Sequence, residues 1–206
     1  MAPRVAVVDS GICNVDSVLR ALAHCGGAPY LARDATDLKR ADRVVLPGVG
    51  AFDRAMTRLQ DADLIAPLTD TVLGDDVPFL GICLGMQLLA RTSEEGAAPA
   101  GLGWIEADVV RIVPGPAERV PHIGWNEVVP TRTSPLFAGI ADRSDFYFVH
   151  SFQVLVDDPA DELATAPFGG GVAAAIARPP VYGVQFHPEK SQAVGLTLLR
   201  NFVAAV

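Results

Sequence analysis

Apolar and polar positions come in blocks along the first ninety or so residues, and the blocks switch period. Residues 4–8 form an apolar run that stops at Asp9-Ser10-Gly11, after which Val15, Val18, Leu19 and Leu22 recur at helical spacing. Residues 43–46 form a second apolar run, closed by Pro47-Gly48-Val49-Gly50 and followed by a helical stretch over 51–59. A further helix is expected over 64–73, and residues 78–82 supply another buried strand that passes into a helix-like pattern. Continuous apolar strands separated by helices predict right-handed βαβ units and a sheet covered on both faces.

The second half changes character. From Gly103 to Gln185 turn signals crowd together, among them Pro114-Gly115-Pro116, Pro130, Pro135, Pro159, Gly169-Gly170-Gly171 and Pro179-Pro180. Short β-rich runs lie between them at 109–113, 126–129, 146–149, 153–156 and 173–177, and a helix over 192–203 closes the chain. The expected fold is α/β, a three-layer arrangement with a mostly parallel central sheet flanked by helices and an added antiparallel strand patch.

Chemistry enters where the run at 78–82 breaks into Gly81-Ile82-Cys83-Leu84-Gly85. A nucleophile between glycines at this spacing predicts a sharp strand-to-helix elbow, the glycines letting the backbone turn tightly while the side chain stands clear of the sheet. The helix N-terminus that follows would favour thiolate over thiol. The competing reading of Cys83 is a small buried hydrophobe at the end of a core strand. Far along the chain, an apolar run over 181–186 leads into His187-Pro188-Glu189-Lys190-Ser191. Residues two apart in an extended segment share a face, so His187 and Glu189 can point the same way, with Pro188 stiffening the pair. An imidazole oriented by a carboxylate is what a cysteine nucleophile needs, although taken alone the tripeptide fits a surface His-Glu pair as well. Parallel α/β sheets open all their strand C-termini on one edge, which is how two such distant segments can meet.

Composition narrows the class. The chain has 206 residues, 50% of them hydrophobic, enough to bury a substantial core. A cut near residue 100 would part Cys83 from His187, so residues 1–206 are expected to form a single domain. The net charge of -8, with 16 scattered Lys and Arg, offers no basic stripe for phosphates and argues against nucleic acid. Three cysteines fit reduced thiols, Cys13 and Cys25 being read as packing residues. None of the four histidines sits in a CxxC or HExxH context, so no metal is expected. No run of about twenty apolar residues would span a membrane, and Met1-Ala2-Pro3-Arg4 does not resemble a signal peptide, so a cytoplasmic location is expected.

The elbow Gly81-Ile82-Cys83-Leu84-Gly85-Met86-Gln87 together with His187-Pro188-Glu189 resembles the class I glutamine amidotransferases. Three further segments are similar to one branch of that family, the glutaminase subunits of imidazole glycerol phosphate synthase in histidine biosynthesis. They are Pro47-Gly48-Val49-Gly50-Ala51-Phe52, Pro121-His122-Ile123-Gly124-Trp125-Asn126 and Tyr147-Phe148-Val149-His150-Ser151-Phe152. The resemblance implies a class I glutamine amidotransferase-like (flavodoxin-like) fold and hydrolysis of L-glutamine to glutamate and ammonia, with no cofactor. Cys83 would attack the side-chain amide, His187 would move protons and Glu189 would orient it. The oxyanion would be held by the backbone N–H groups of Leu84 and Val49. Glutamine recognition would fall to Gly50, Gln87, Glu95 and the backbone of Ser151 and Phe152. On residues alone, Gln87 fits an exposed helix position as well, and Glu94 competes with Glu95.

No Walker loop or GxGxxG is present to bind a phosphorylated acceptor, so the ammonia is expected to be used elsewhere. The resemblance implies a separate (β/α)8-barrel cyclase subunit that makes imidazole glycerol phosphate and aminoimidazole carboxamide ribonucleotide in a heterodimer. Asn14, His122, Trp125, Asn126, Tyr147 and Lys190 would face it. Packing is the alternative for Trp125 and Tyr147, structure for His122 and His150, and solvation for Lys190. The glycines around Val49 suggest a peptide able to offer or withhold its N–H until a partner or ligand binds. Ser10 and Cys13 depart from the Asp-Tyr-Gly-x-Gly-Asn turn of many relatives, which leaves open a related amidotransferase pair such as one for amidino-sugar synthesis. A non-catalytic regulatory subunit of the same fold is the third reading.

Overall fold

Strand β1 (Arg4–Val8) is buried from Val5 onward, and its alternate residues enter two different cores. Val5 and Val7 join Val18, Leu22, Leu198 and Phe202, whereas Ala6 and Val8 join Phe52, Leu59, Leu64 and Leu68. A strand apolar on both faces must be covered on both, and the period of two assigns each residue to a helical layer. The computed structural model describes residues 1–9, 15–97 and 100–206.

In chain order, β1 is followed by α1 (Val15–His24), β2 (Ala28–Ala32), α2 (Ala35–Leu38), β3 (Arg43–Gly48), α3 (Phe52–Asp61) and α4 (Ile65–Thr69). A π-helical turn over Asp70–Gly74 leads to β4 (Phe79–Cys83), α5 (Leu84–Gln87), β5 (Thr92–Ser93), β6 (Ala107–Arg111) and β7 (His122–Pro130). The chain ends with β8 (Ser144–His150), β9 (Phe152–Val156), β10 (Glu162–Ala166), β11 (Val172–Arg178), β12 (Val181–Val184) and α6 (Gln192–Ala205).

Among the described residues nine strands form one sheet in the order β2-β1-β3-β4-β12-β11-β10-β7-β8, and β5-β6-β9 form a separate three-stranded sheet. Pairings from β2 to β12 are parallel and those from β12 to β8 are antiparallel. The sheet is therefore mixed, with the antiparallel patch continuous with the parallel half. Helices α1 and α6 pack on one face and α3 and α4 on the other, the expected three layers. Three adjacent strands, β3, β4 and β12, deliver their C-terminal ends side by side.

Two strands of the large sheet carry too weak a pattern to predict. β2 is an edge strand with only Ala32 fully buried and with Pro29 inside it, a residue that sheets tolerate at edges. β10 is a run of small residues, Glu-Leu-Ala-Thr-Ala. The helix expected after the elbow is a single turn, α5, and this weakens the dipole argument for the thiolate because a macrodipole needs aligned peptides to sum.

Candidate active site

Cys83 ends β4 with φ 55° and ψ −110°, a left-handed backbone at a non-glycine residue. Such conformations persist only where the surroundings enforce them and cluster at functional sites. The neighbouring glycines have a different role from the expected one, since neither Gly81 nor Gly85 has positive φ. They provide space. A Cβ on Gly85 would collide with the Leu46 carbonyl of β3, and one on Gly81 would collide with the peptide of Gly85. The turn is thus carried by the cysteine itself, and the glycines let α5 sit directly on β3 and β4.

His187 follows β12 with extended backbone, φ −101° and ψ 95°, and Pro188 opens a 3₁₀ turn over Pro188–Lys190. Glu189 reaches His187 through that turn rather than along an extended strand, and Oε1 accepts from Nδ1 at 2.9 Å. This bond fixes the tautomer so that Nε2 faces the site. Both side chains are only 4% exposed, and among the described residues Nε2 has no hydrogen-bond partner. Burial works against the imidazolium, but the Cys83 and Glu189 side chains outweigh it and raise His187 from 6.5 to about 9. Ser191, which no sequence motif marked, pins the turn: its hydroxyl donates to His187 O at 2.6 Å and accepts from Tyr147 N at 3.0 Å.

A cavity of about 610 Å³ opens over the elbow. Cys83, Leu84, Val49, Gly50, Gln87, Glu95, Ser151 and Phe152 all line it, so every residue expected to hold glutamine or its oxyanion borders one space. Val49 also borders a smaller cavity of about 80 Å³ with His187, Glu189 and Lys190, and so stands between the two. Gly50 has φ +97°, and a Cβ on Gly48 would lie 2.9 Å from Leu84 Cβ, which brings this loop against the elbow. Of the two candidates, Glu95 borders the cavity and Glu94 does not. Glu95 Oε2 accepts from Phe52 N at the start of α3 at 3.0 Å, while Glu94 accepts from Arg111 N. Arg111 borders the cavity too, with its guanidinium 5.8 Å from the centre of the Phe152 ring.

Gln87 is buried, and its Nε2 donates to Phe152 O at 3.2 Å and to Gln185 Oε1 at 3.0 Å. Gln185, fully buried, donates to Cys83 Sγ at 3.7 Å. Sequence reasoning missed Gln185. Its signal was a polar residue at the end of an apolar strand, two positions before His187.

The expected partner-facing residues fall into two groups. Trp125, 47% exposed, lies edge-on to Tyr147 at 6.0 Å, and the Lys190 ammonium lies 5.9 Å over the Tyr147 ring. His122 and Asn126 belong to a hydrogen-bonded chain in which Asn126 Nδ2 meets His122 Nε2 at 3.1 Å, His122 Nδ1 meets His150 Nε2 at 2.9 Å and His150 Nδ1 meets Phe152 O at 2.8 Å. A carbonyl only accepts, so His150 carries its proton on Nδ1, His122 does likewise and Asn126 donates. Burial lowers both imidazoles from 6.5 to about 4, which keeps the chain neutral. Cys25 is buried, and its Sγ donates to Leu196 O at 3.2 Å, as a packing residue would. Asn14 and Cys13 lie outside the described residues.

Residues 6–206 match the family Glutamine amidotransferase class-I. The chain is 44% identical over 202 residues to "Imidazole glycerol phosphate synthase subunit HisH 2" of Pseudomonas aeruginosa, covering 98% of this chain and 100% of that protein. It is 46% identical over 207 residues to "Imidazole glycerol phosphate synthase subunit HisH" of Thermosynechococcus vestitus, covering 100% and 98%. In fold it is similar to a putative GMP synthase protein of Thermoplasma acidophilum, with TM-score 0.75, 22% identity and coverage of 98% and 93%. It is also similar in fold to the structure of PurLQS from Thermotoga maritima, with TM-score 0.76, 15% identity and 98% of each chain covered. A match across nearly the whole chain, with relatives this similar, means that the chain belongs to the class I glutamine amidotransferases.

Proposed function

We propose that this chain is the glutaminase subunit of an imidazole glycerol phosphate synthase, a single domain over residues 1–206 that acts in the cytoplasm. No helix among the described residues is long and apolar enough to cross a membrane. The observation that carries the reading is a cysteine on a left-handed elbow, at the floor of a cavity bordered by Gln87, Glu95, Val49 and Gly50, beside an imidazole oriented by a buried carboxylate. Cys83 Sγ attacks the amide carbon of glutamine, and the backbone N–H groups of Leu84 and Val49 hold the oxyanion. Each such donor is worth about 2.7–4 kcal/mol in other enzymes. His187, raised to about 9, holds a proton at neutral pH and gives it to the departing nitrogen. Water then cleaves the thioester with His187 as base, releasing glutamate and restoring the Cys83 thiolate beside a protonated His187.

Both Nε2 protons of Gln87 are committed to Phe152 and Gln185, so the group it presents to substrate is its carbonyl oxygen, an acceptor for the amide N–H of glutamine. Glu95 receives the α-ammonium. Val49, between the two cavities, offers or withholds its N–H according to whether a liganded partner is docked. The relatives are named as subunits of a synthase, which supports a partner subunit; the partner in this reading is a separate (β/α)8-barrel cyclase that consumes the ammonia, with Trp125, Tyr147 and Lys190 among the docking residues.

Reconstitution with a cyclase subunit tests this. Cys83→Ala is expected to abolish glutamine-dependent turnover and to leave turnover on ammonium salts intact. Loss of both activities, or glutamine turnover without Cys83, overturns the reading.

A further inference from the structure

Beside Cys83, the chemistry above leaves one buried polar neighbour among the described residues, Gln185, without a role. It is fully buried at the end of β12, and its amide nitrogen lies 3.7 Å from the reacting sulfur. We infer that Gln185 is a catalytic hydrogen-bond donor to Cys83 Sγ, aimed by Gln87 and the Phe152 carbonyl, and that it stabilises the thiolate. This rests on Cys83 being the nucleophile and adds a group to that site.

Amide oxygens and nitrogens are interchangeable in shape, so the direction of Gln185 has to come from its neighbours. The Phe152 carbonyl can only accept. The atom of Gln87 facing it at 3.2 Å is therefore nitrogen, and the second proton of that nitrogen goes to Gln185 at 3.0 Å. The atom of Gln185 that receives it is then oxygen, and the one facing sulfur is nitrogen. One main-chain carbonyl thus dictates, two side chains away, that the nucleophile meets a donor and not an acceptor.

Ionisation selects this contact. The thiol has two neighbours of opposite kind, the Val149 carbonyl at 3.9 Å, to which it donates, and the Gln185 amide at 3.7 Å, from which it accepts. A thiolate has no proton to give, so the Val149 contact turns repulsive and the Gln185 contact becomes charge-assisted and stronger. Because α5 is a single turn, a helix dipole contributes little here, and a directed donor compensates for it. The titratable groups facing Cys83 are His187 with its partner Glu189, and across the cavity His150, Glu95 and Arg111. None of them contacts Gln185 in a way that Gln185→Leu would remove.

The test is the pH dependence of iodoacetamide alkylation of the full chain, followed on the peptide that carries Cys83. Gln185→Leu is expected to move the midpoint upward by about one pH unit, the scale of one hydrogen bond to a charged group. Gln185→Glu keeps the volume and the bond from Gln87 but turns an oxygen toward sulfur, and it is expected to move the midpoint further still. Circular dichroism and thermal melting establish that each variant is folded. Folded variants with the parental midpoint overturn the inference, because a purely structural Gln185 would not move it. If the parent consumes glutamine with a cyclase and the midpoint stays put, this inference alone fails. If the parent consumes no glutamine yet the midpoint shifts, the proposed function fails and the donor role stands.

Discussion

Gly85→Ala adds one methyl group at the point where the elbow helix rests on β3. Its Cβ would fall within the radius of the Leu46 carbonyl oxygen and 2.9 Å from the carbonyl carbon. Overpacking costs about 1–3 kcal/mol when side chains can yield. Here the added Cβ is fixed to its own backbone and meets backbone of β3, a strand held between β1 and β4, so the expected cost is about 3 kcal/mol or more. For a domain of this size that corresponds to a fall in Tm of roughly 6–12 °C. Relief by separating α5 from β3 would also move the Leu84 N–H and Cys83 by a fraction of an ångström or more. Misplacements near 1 Å cost on the order of 100-fold in rate. The assay is thermal melting together with glutamine turnover in the reconstituted complex. Gly74→Ala is the control, since Gly74 has nothing within 4 Å of an added Cβ and its φ is not positive, so stability should stay within about 0.5 kcal/mol of the parent. A Gly85→Ala variant with parental Tm and parental turnover would refute the view that the glycine exists for close approach.

In the proposed mechanism glutamine turnover requires His187 to hold a proton, so kcat/KM is expected to fall above an apparent value near 9. Glu189→Gln removes one cause of that raised value, and the alkaline limb should move down toward the ordinary 6.5; an unmoved limb would show that Glu189 does not set it. The raised pKa also means that His187 contributes stability present in full below pH 6.5 and lost as pH rises through about 9. His150 works in the opposite direction, because burial lowers it to about 4. The unfolded chain takes up its proton first as pH falls from 6.5 to about 4, and stability should drop by about 3 kcal/mol across that window. Urea unfolding of the parent and of His150→Gln checks this, the variant being expected to lack that share of the acid loss; equal losses in both would exclude His150 as the cause.

The parallel half of the sheet was legible because its strands are apolar on both faces and the helices between them keep a 3.6-residue period. β1, β3 and β4, with helices α1, α3 and α6, lie where the pattern predicts them to within a few residues. The edge strand β2 was not legible, since one exposed side and a proline erase the apolar run that marks a strand. Cys83, His187 and Glu189 could be singled out from short motifs because the roles proposed for them, nucleophile, base and orienting carboxylate, each constrain their immediate neighbours.

Tertiary structure decided what those motifs do physically. The glycines of the elbow read as turn formers, yet their φ values are ordinary and their purpose is contact with Leu46 and with each other, which a linear sequence does not express. The His-Pro-Glu segment read as an extended pair, but a 3₁₀ turn held by Ser191 makes the contact. Gln185 read as one polar residue in an apolar strand, and only its distances to Gln87 and Cys83 give it a direction. Sequence by itself determined which groups could carry the chemistry, because chemical identity is local. Which atom faces which was left to the fold, because hydrogen-bond direction is inherited from neighbours far away in the chain.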